Sequence, residues 1–149
     1  MKVNDEVWEY VENIVLNDWG GDVYNVVFTN DIQSTVRYQC DRCKIPSKKF
    51  LPGNNCLGCF INTGDKYGRR MWILLDIEKV SERVIVHECF HAIYYLLDTK
   101  GVKLKPSSEE TFAYLLDSLY TRVRRVMKTA EVEYKKYKKE NNGKSENRG

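Results

Sequence analysis

The amino-acid sequence predicts an α+β fold, and three observations support that prediction. Residues 23–29 and 71–76 are rich in β-forming side chains and predict strands. Helical periodicity over residues 79–98, and again from residue 109 to at least residue 127, predicts two long helices. Residues 40–70, which contain most of the cysteines, have the prolines and glycines typical of a loop.

Two further elements complete the predicted order. Apolar side chains at spacings of three and four over residues 4–17 predict an amphipathic N-terminal helix, which two glycines end. Residues 32–38 alternate between apolar and polar side chains after a polar turn. This alternation predicts that they pair with residues 23–29 as a hairpin.

Length and composition limit the class of protein. The 149 residues fit one domain. The hydrophobic fraction of 42% and the aromatic fraction of 12% are those of a globular protein. The longest apolar run, from Met71 to Leu75, is far shorter than the ~20 residues of a membrane-spanning helix, and the acidic start does not resemble a secretory signal. We therefore expect a cytoplasmic protein that does not span a membrane.

Charge is distributed unevenly along the chain. Residues 122–149 hold ten Lys and Arg against four Asp and Glu, whereas residues 1–121 hold 14 against 17. We therefore divide the chain into a domain at residues 1–127, with a cysteine-bearing insertion at residues 40–59, and a basic helix end with a disordered tail at residues 128–149. Such a basic segment either contacts phosphates or forms a solvated helix face.

The chain's only two histidines lie in one pentapeptide, His87-Glu88-Cys89-Phe90-His91. Residues four apart lie on one face of a helix, so both imidazoles can bind one Zn²⁺. Glu88 then lies beside the metal and can take a proton from zinc-bound water as general base. Cys89 points away from the metal and is expected to be a small buried hydrophobe. The alternative is a chance pentapeptide on an amphipathic helix.

A catalytic zinc needs a third protein ligand and an open position. The candidate is Glu110, nineteen residues after His91 in the next predicted helix, and Glu109 is a second candidate. A competing role exists for Glu110, because Ser107-Ser108-Glu109-Glu110 also has the pattern of a capping box. In that role, Glu110 would accept a hydrogen bond from the backbone amide of Ser107.

Four of the five cysteines form two CxxC pairs, Cys40 with Cys43 and Cys56 with Cys59, and twelve residues separate the pairs. This spacing is typical of a structural Cys₄ zinc site, because each pair can offer two thiolates to one tetrahedral ion. We expect the zinc to cross-link a long polar loop. The alternative is direct recognition of nucleic acid by basic residues around the first pair. These residues are Arg42, Lys44, Lys48 and Lys49.

Two segments together resemble a known class of metallopeptidase. Residues 84–93, which contain the pentapeptide, and residues 110–117 are similar to the gluzincins, in which a helix bearing HExxH is followed by a helix that supplies a glutamate ligand. Small phage, prophage and ImmA/IrrE-type relatives show the ExxA form that Glu110 to Ala113 has here. The resemblance covers roughly residues 71–127 and implies a zincin-like domain with a small sheet and two long metal-site helices, to which the cysteine spacing adds a zinc-stapled loop.

The resemblance assigns a role to each matched residue. His87, His91 and Glu110 would be the zinc ligands and Glu88 the catalytic base. The strand at residues 71–76 would be the edge strand that pairs with an extended substrate.

The chain departs from the gluzincin pattern at one position. Many gluzincins place an aspartate four residues after the ligand glutamate, where it orients a ligand histidine, and here that position is Tyr114. Asp117, one turn further on, either takes the orienting role or is a solvated carboxylate.

The expected function is zinc-dependent hydrolysis of a peptide or protein substrate, with one catalytic and one structural zinc. Zinc-bound water would attack the peptide carbonyl, and Glu88 would pass its proton to the leaving amine. One rival is a zinc-ribbon module that binds nucleic acid or a regulator and has an inactive or structural HExxH site. Another is an assembly factor in which both metals are structural.

Overall fold

The computed structural model describes residues 7–16 and 21–146, and these residues confirm the predicted α+β fold. They form one mixed four-stranded sheet and three helices. The strands are β1 (Glu9–Leu16), β2 (Asp22–Thr29), β3 (Gly58–Asn62) and β4 (Met71–Asp76), and the helices are α1 (Ile32–Arg42), α2 (Glu82–Thr99) and α3 (Glu109–Glu146). The strand order is β1-β2-β4-β3, in which β2 and β4 are parallel and the other two neighbouring pairs are antiparallel.

The N-terminal segment is a strand rather than the predicted helix. β1 pairs antiparallel with β2 along its whole length and buries Ile14 and Leu16 in the core. Half of its residues are β-branched or aromatic, and such side chains suit a pleated surface better than a helix. The helix predicted over residues 4–17 is therefore wrong for residues 7–16, and its remaining residues, 4–6 and 17, lie outside the described chain.

The strand at residues 23–29 is confirmed by β2, but the predicted hairpin partner is the helix α1. The Asp31 side chain caps this helix by accepting a hydrogen bond from the Ser34 amide at 3.0 Å. Ile32, Val36 and Cys40, four residues apart, are buried along one helical face. Alternating apolar residues over this short segment fit a strand as well as a helix, and the cap decides for the helix.

The strand at residues 71–76 is confirmed by β4, but β4 is not an edge strand. It lies between β2 and β3, and all six of its residues are buried. The edge strand on this side is β3, which lies inside the stretch that the sequence predicts to be a loop. The edge-strand role that the resemblance implies for residues 71–76 is therefore wrong.

The sheet has a hydrophobic cluster on each face. On one face, α2 and α3 pack against β1, β2 and β4. On the other face, α1 and residues of the cysteine-bearing loop cover Val27, Ile61, Trp72 and Leu74. Side chains of β3 alternate between the two clusters, since Phe60 packs against the first cluster and Cys59 against the second.

The two long helices confirm the predicted segments at residues 79–98 and 109–127. They run antiparallel, because Glu82 at the start of α2 bonds Arg124, whereas Tyr94 near its end meets Phe112 at the start of α3. α3 continues to Glu146, so most of the segment at residues 128–149 is helical, and residues 147–149 lie outside the described chain. Among the described helices, none is both long and apolar enough to cross a membrane.

Candidate metal centre

α2 holds the two histidines one turn apart on its exposed face. The Ser81 side chain caps the helix by accepting from the Val84 amide. One face of α2, which includes Ile85 and Cys89, is fully buried in the sheet-facing core, as expected for Cys89. This fixed register leaves His87 and His91 exposed to solvent.

The imidazole rings of His87 and His91 converge. Their Nε2 atoms lie 3.0 Å apart, and the rings meet edge to face with centroids 4.6 Å apart. Two nitrogens bound to one tetrahedral zinc at ~2.0–2.1 Å would lie about 3.3 Å apart. The donor type and the separation of this pair therefore fit half of a zinc site.

Glu88 lies under the edge strand, next to the histidine pair. Its side chain is only 6% exposed, and its Cγ packs against Gly58, where an added Cβ would come within 3.1 Å of it. Burial raises the pKa of the Glu88 carboxyl above its usual range. His87 and a hydrogen bond from the Phe60 backbone amide act in the opposite direction. The carboxyl is thus held between α2 and β3.

A groove runs between α2 and β3 on both sides of Glu88. On the His91 side, a cavity of about 490 Å³ is lined by Phe60, Tyr94 and Tyr95 among others. On the His87 side, a cavity of about 800 Å³ is lined by the start of β3 and the residues before it, by α2 and by α3. Its apolar side chains are Leu57, Val84, Val86, Phe90 and Leu116.

The sequence-predicted third ligand lies on the neighbouring helix but outside a ligand group. Glu110 is exposed at the start of α3, in the turn that precedes Phe112 beside Tyr94. Its side chain makes no hydrogen bond or ion pair with another described residue, so the capping role with Ser107 is not seen. Ser108 instead bonds the loop through its hydroxyl, which donates to the Lys103 carbonyl at 2.5 Å.

The two cysteine pairs lie against the same hydrophobic cluster. Cys40 is buried at the end of α1 and Cys43 is its C-cap residue, while Cys56 precedes β3 and Cys59 lies in it. The Cys56 Sγ donates to the Gly58 carbonyl oxygen at 2.7 Å. Burial raises the pKa of the Cys40, Cys56 and Cys59 thiols. A metal ion bound by these thiols would displace their protons, because the thiolate is the form that ligates a metal.

The predicted ligands are assembled in pairs and not as complete sets. Across residues 7–16 and 21–146, no group of three or more His, Cys, Asp or Glu side chains is close enough to hold one metal ion. His87 and His91 meet, whereas Glu109, Glu110 and Asp117 are all exposed. The histidine pair, which lies within one helix, is thus formed. The ligands that come from other elements are not close enough to complete a metal site.

Sequence reasoning missed the contribution of β3 to the site. Gly58 gives Glu88 and Val84 room to approach the strand, and the Phe60 amide bonds Glu88. The signal that could have found this strand is the β-forming pair Phe60 and Ile61 directly after the second cysteine pair.

Comparisons with protein-family models, with curated proteins and with solved structures found no match. The roles proposed below rest on residues and contacts of this chain.

Proposed function

We propose that this chain is a zinc-dependent metallopeptidase-like hydrolase that cleaves peptide bonds, with Glu88 as general base. The observation that carries the proposal is the convergence of the His87 and His91 Nε2 atoms at 3.0 Å beside the buried Glu88, inside a groove bordered by an edge strand. A helix that brings two imidazoles and one carboxyl to a concave surface has the residue types that metal-assisted hydrolysis requires.

The residues that would hold the zinc are His87, His91 and Glu110, with Glu109 as the second candidate for the third place. A zinc ion held there would act as a Lewis acid toward the substrate carbonyl and toward water. Glu110 lies at the start of α3, near the end of α2 that follows Tyr94, so closing the set would require Glu110 to approach the histidine pair.

Glu88 is placed to move a proton within the groove. Its carboxyl sits beside both cavities, close to the histidine pair and shielded from bulk water. A base held in this way can accept a proton from water and return it to the leaving amine without crossing open solvent.

The edge strand β3 would hold the substrate backbone. It is an edge strand whose residues line the groove, and an extended peptide can add to such an edge through main-chain hydrogen bonds. Side chains of the bound peptide would then enter the two cavities on either side of Glu88.

The cysteine pairs would hold a second, structural zinc. Four thiols on one hydrophobic cluster have the chemistry of a closed Cys₄ site, which offers no open position for catalysis. Bound there, the metal would fix the loop that leads into β3.

The proposal is tested by Glu88→Gln in a zinc-loaded protein, with a pooled library of quenched fluorescent peptides as substrate. We expect zinc content to stay at the native value and hydrolysis to fall by about 10²–10⁴-fold, the usual contribution of a general base. Glu131→Gln, which removes an exposed carboxylate of α3 remote from the groove, is the matched control and should hydrolyse at the native rate. Equal hydrolysis by Glu88→Gln and native protein would rule Glu88 out as the base.

A further inference from the structure

The cations of α3 between residues 122 and 139 fall into two sets. One set is bonded to acceptors of the same chain. Its members are Arg122 to the Val15 carbonyl at 2.6 Å, Arg124 to Glu82 at 2.8 Å, Lys136 to Glu133 at 2.7 Å and Lys138 to Glu78 at 3.2 Å. These contacts hold the helix to the domain or to itself.

The second set consists of Arg125, Lys128, Lys135 and Lys139, which we name the basic stripe. All four are exposed, and none forms an ion pair with another described residue. Their spacings of three, seven and four place them within an arc of about 80° of the helix circumference. The stripe is about 21 Å long at ~1.5 Å per residue.

No acidic residue interrupts the basic stripe. Between residues 121 and 139, the same arc contains only Thr121 and Val132 besides the four cations. Glu131 borders the arc, three residues from Lys128 and four from Lys135, but forms an ion pair with neither, and Glu133 and Glu140 lie further round the helix. The stripe is therefore a row of four cations with one carboxylate at its border, and its net positive charge attracts a polyanion.

The apolar face of α3 is already covered by its own domain. Val123, Val126 and Ala130 are buried against the core, and Tyr134 is bonded to Glu78. A helix that lies on a lipid bilayer needs a free apolar face opposite its cations, and here only Val132 is exposed on the stripe. The chemistry of the stripe suits a surface of regularly spaced phosphates rather than a bilayer.

We propose that the basic stripe binds duplex nucleic acid through its phosphate backbone without reading the bases. With both strands counted, a duplex carries one negative charge per ~1.7 Å of its axis, so ~21 Å of duplex carries about a dozen phosphates and each cation can reach one of those on the facing side. Four such contacts give a salt dependence of log K on log [salt] with a slope of about −3.6. This activity is separate from the proposed hydrolysis and uses the opposite end of α3 from Glu110.

A second basic cluster provides the matched control. Arg42, Lys44, Lys48 and Lys49 are also exposed, but they lie on a helix end, a left-handed turn and a short 3-10 turn. These cations share no single helical face. Because the cluster holds the same number of charges, its removal changes the net charge by the same amount as removal of the stripe.

The experiment measures fluorescence anisotropy of a labelled duplex DNA of about 20 base pairs of mixed sequence over a series of salt concentrations. It compares the full-length protein with R125Q/K128Q/K135Q/K139Q and with R42Q/K44Q/K48Q/K49Q. Circular dichroism checks that each variant keeps its helical content. We expect the stripe variant to bind at least about 10-fold more weakly, with its salt slope reduced by about three to four, and the control to keep most of the native affinity.

Each other outcome overturns the proposal. Loss of binding in the control alone would place the contact on the cysteine-bearing loop. Equal losses in both variants would show an effect of net charge without a defined surface. A native protein that binds vesicles containing phosphatidylserine but not the duplex would assign the stripe to a membrane surface.

Discussion

His87 and His91 belong to one helix, whereas the four cysteines are divided between the end of α1 and the start of β3. The two imidazoles converge to 3.0 Å, but the cysteines form no group of three or more metal ligands in the described chain. A motif inside one helix is therefore positioned by the helix itself. A motif divided between loops depends on long-range closure, to which a bound ion contributes directly.

The same contrast separates the histidines from Glu110. The backbone hydrogen bonds of α2 fix the spacing of the histidine pair, but Glu110 depends on how α3 packs against α2. That packing is determined by apolar contacts such as Tyr94 with Phe112, and it leaves Glu110 exposed. The histidine pair is therefore the rigid part of the candidate centre, and the third ligand is the adjustable part.

The largest effect is expected from Cys40→Ser/Cys43→Ser. Loss of this pair removes the proposed structural metal and leaves a long polar loop without its cross-link. We expect amide protection over residues 44–57 to fall at least about 100-fold, equivalent to about 2.8 kcal/mol of local stability, while α2 stays protected. Hydrogen exchange followed by mass spectrometry measures both regions.

Cys89→Ala is the control for this variant. Cys89 is buried on α2, outside the loop, and burial raises its thiol pKa to about 12. Removing it should weaken the core slightly and leave loop protection unchanged. Native-like loop protection in Cys40→Ser/Cys43→Ser would show that the loop is ordered without a metal.

A smaller effect is expected from Gly58→Ala, which tests the contact between the two regions. The new Cβ would lie 2.7 Å from the Val84 Cγ1 and 3.1 Å from the Glu88 Cγ, so α2 and β3 would have to separate. Overpacking of this kind costs about 1–3 kcal/mol in the free energy of unfolding. Urea denaturation measures the loss.

Gly53→Ala is the matched control, because a Cβ at Gly53 meets no atom within 4 Å. Its stability should equal or slightly exceed that of the native protein, since alanine restricts the unfolded chain. If both variants unfold at the same urea concentration, α2 and β3 have room for a methyl group at Gly58 and the expected overpacking does not occur.

The smallest effect is expected from Glu78→Gln, a change remote from both metal-ligating patterns. Glu78 accepts hydrogen bonds from Tyr134 and Lys138, which lower the pKa of its carboxyl. A lowered pKa in the folded state contributes stability at neutral pH, and this stability is lost as pH falls through the acidic range below about 4.3. Because the site is partly exposed, we expect a loss of less than about 1 kcal/mol.

The pH dependence of unfolding separates this contribution from a general loss of packing. The difference in stability between native protein and Glu78→Gln should shrink toward zero between neutral and acidic pH. A difference that stays constant over that range would mean that the charge of Glu78 does not contribute.

The sequence predicts the helical half of the fold well and the N-terminal part of the sheet poorly. α2 and α3 have long runs of helical periodicity, and β4 is an apolar run bounded by polar residues, so local patterns suffice. β1 and α1 are short segments in which spacings of two, three and four overlap. Pairing with β2 makes β1 a strand, and the Asp31 cap makes α1 a helix.

The candidate site divides in the same way. The spacing of His87 and His91 and the burial of Cys89 follow from residue numbers on one helix. The contact of Glu88 with Gly58 and Phe60 does not, because a five-residue strand inside a loop-like stretch leaves little periodicity to read. Only the order of strands in the sheet shows which strand borders the groove.

The most direct measurement is zinc per chain, determined by elemental analysis of the native protein, of His87→Ala/His91→Ala and of Cys40→Ser/Cys43→Ser. Two metal sites predict two zinc ions in the native protein and one in each double variant. A native value of one that falls to zero in the cysteine variant and is unchanged in the histidine variant would show that the histidine pair holds no metal. That result would contradict the proposed hydrolytic centre.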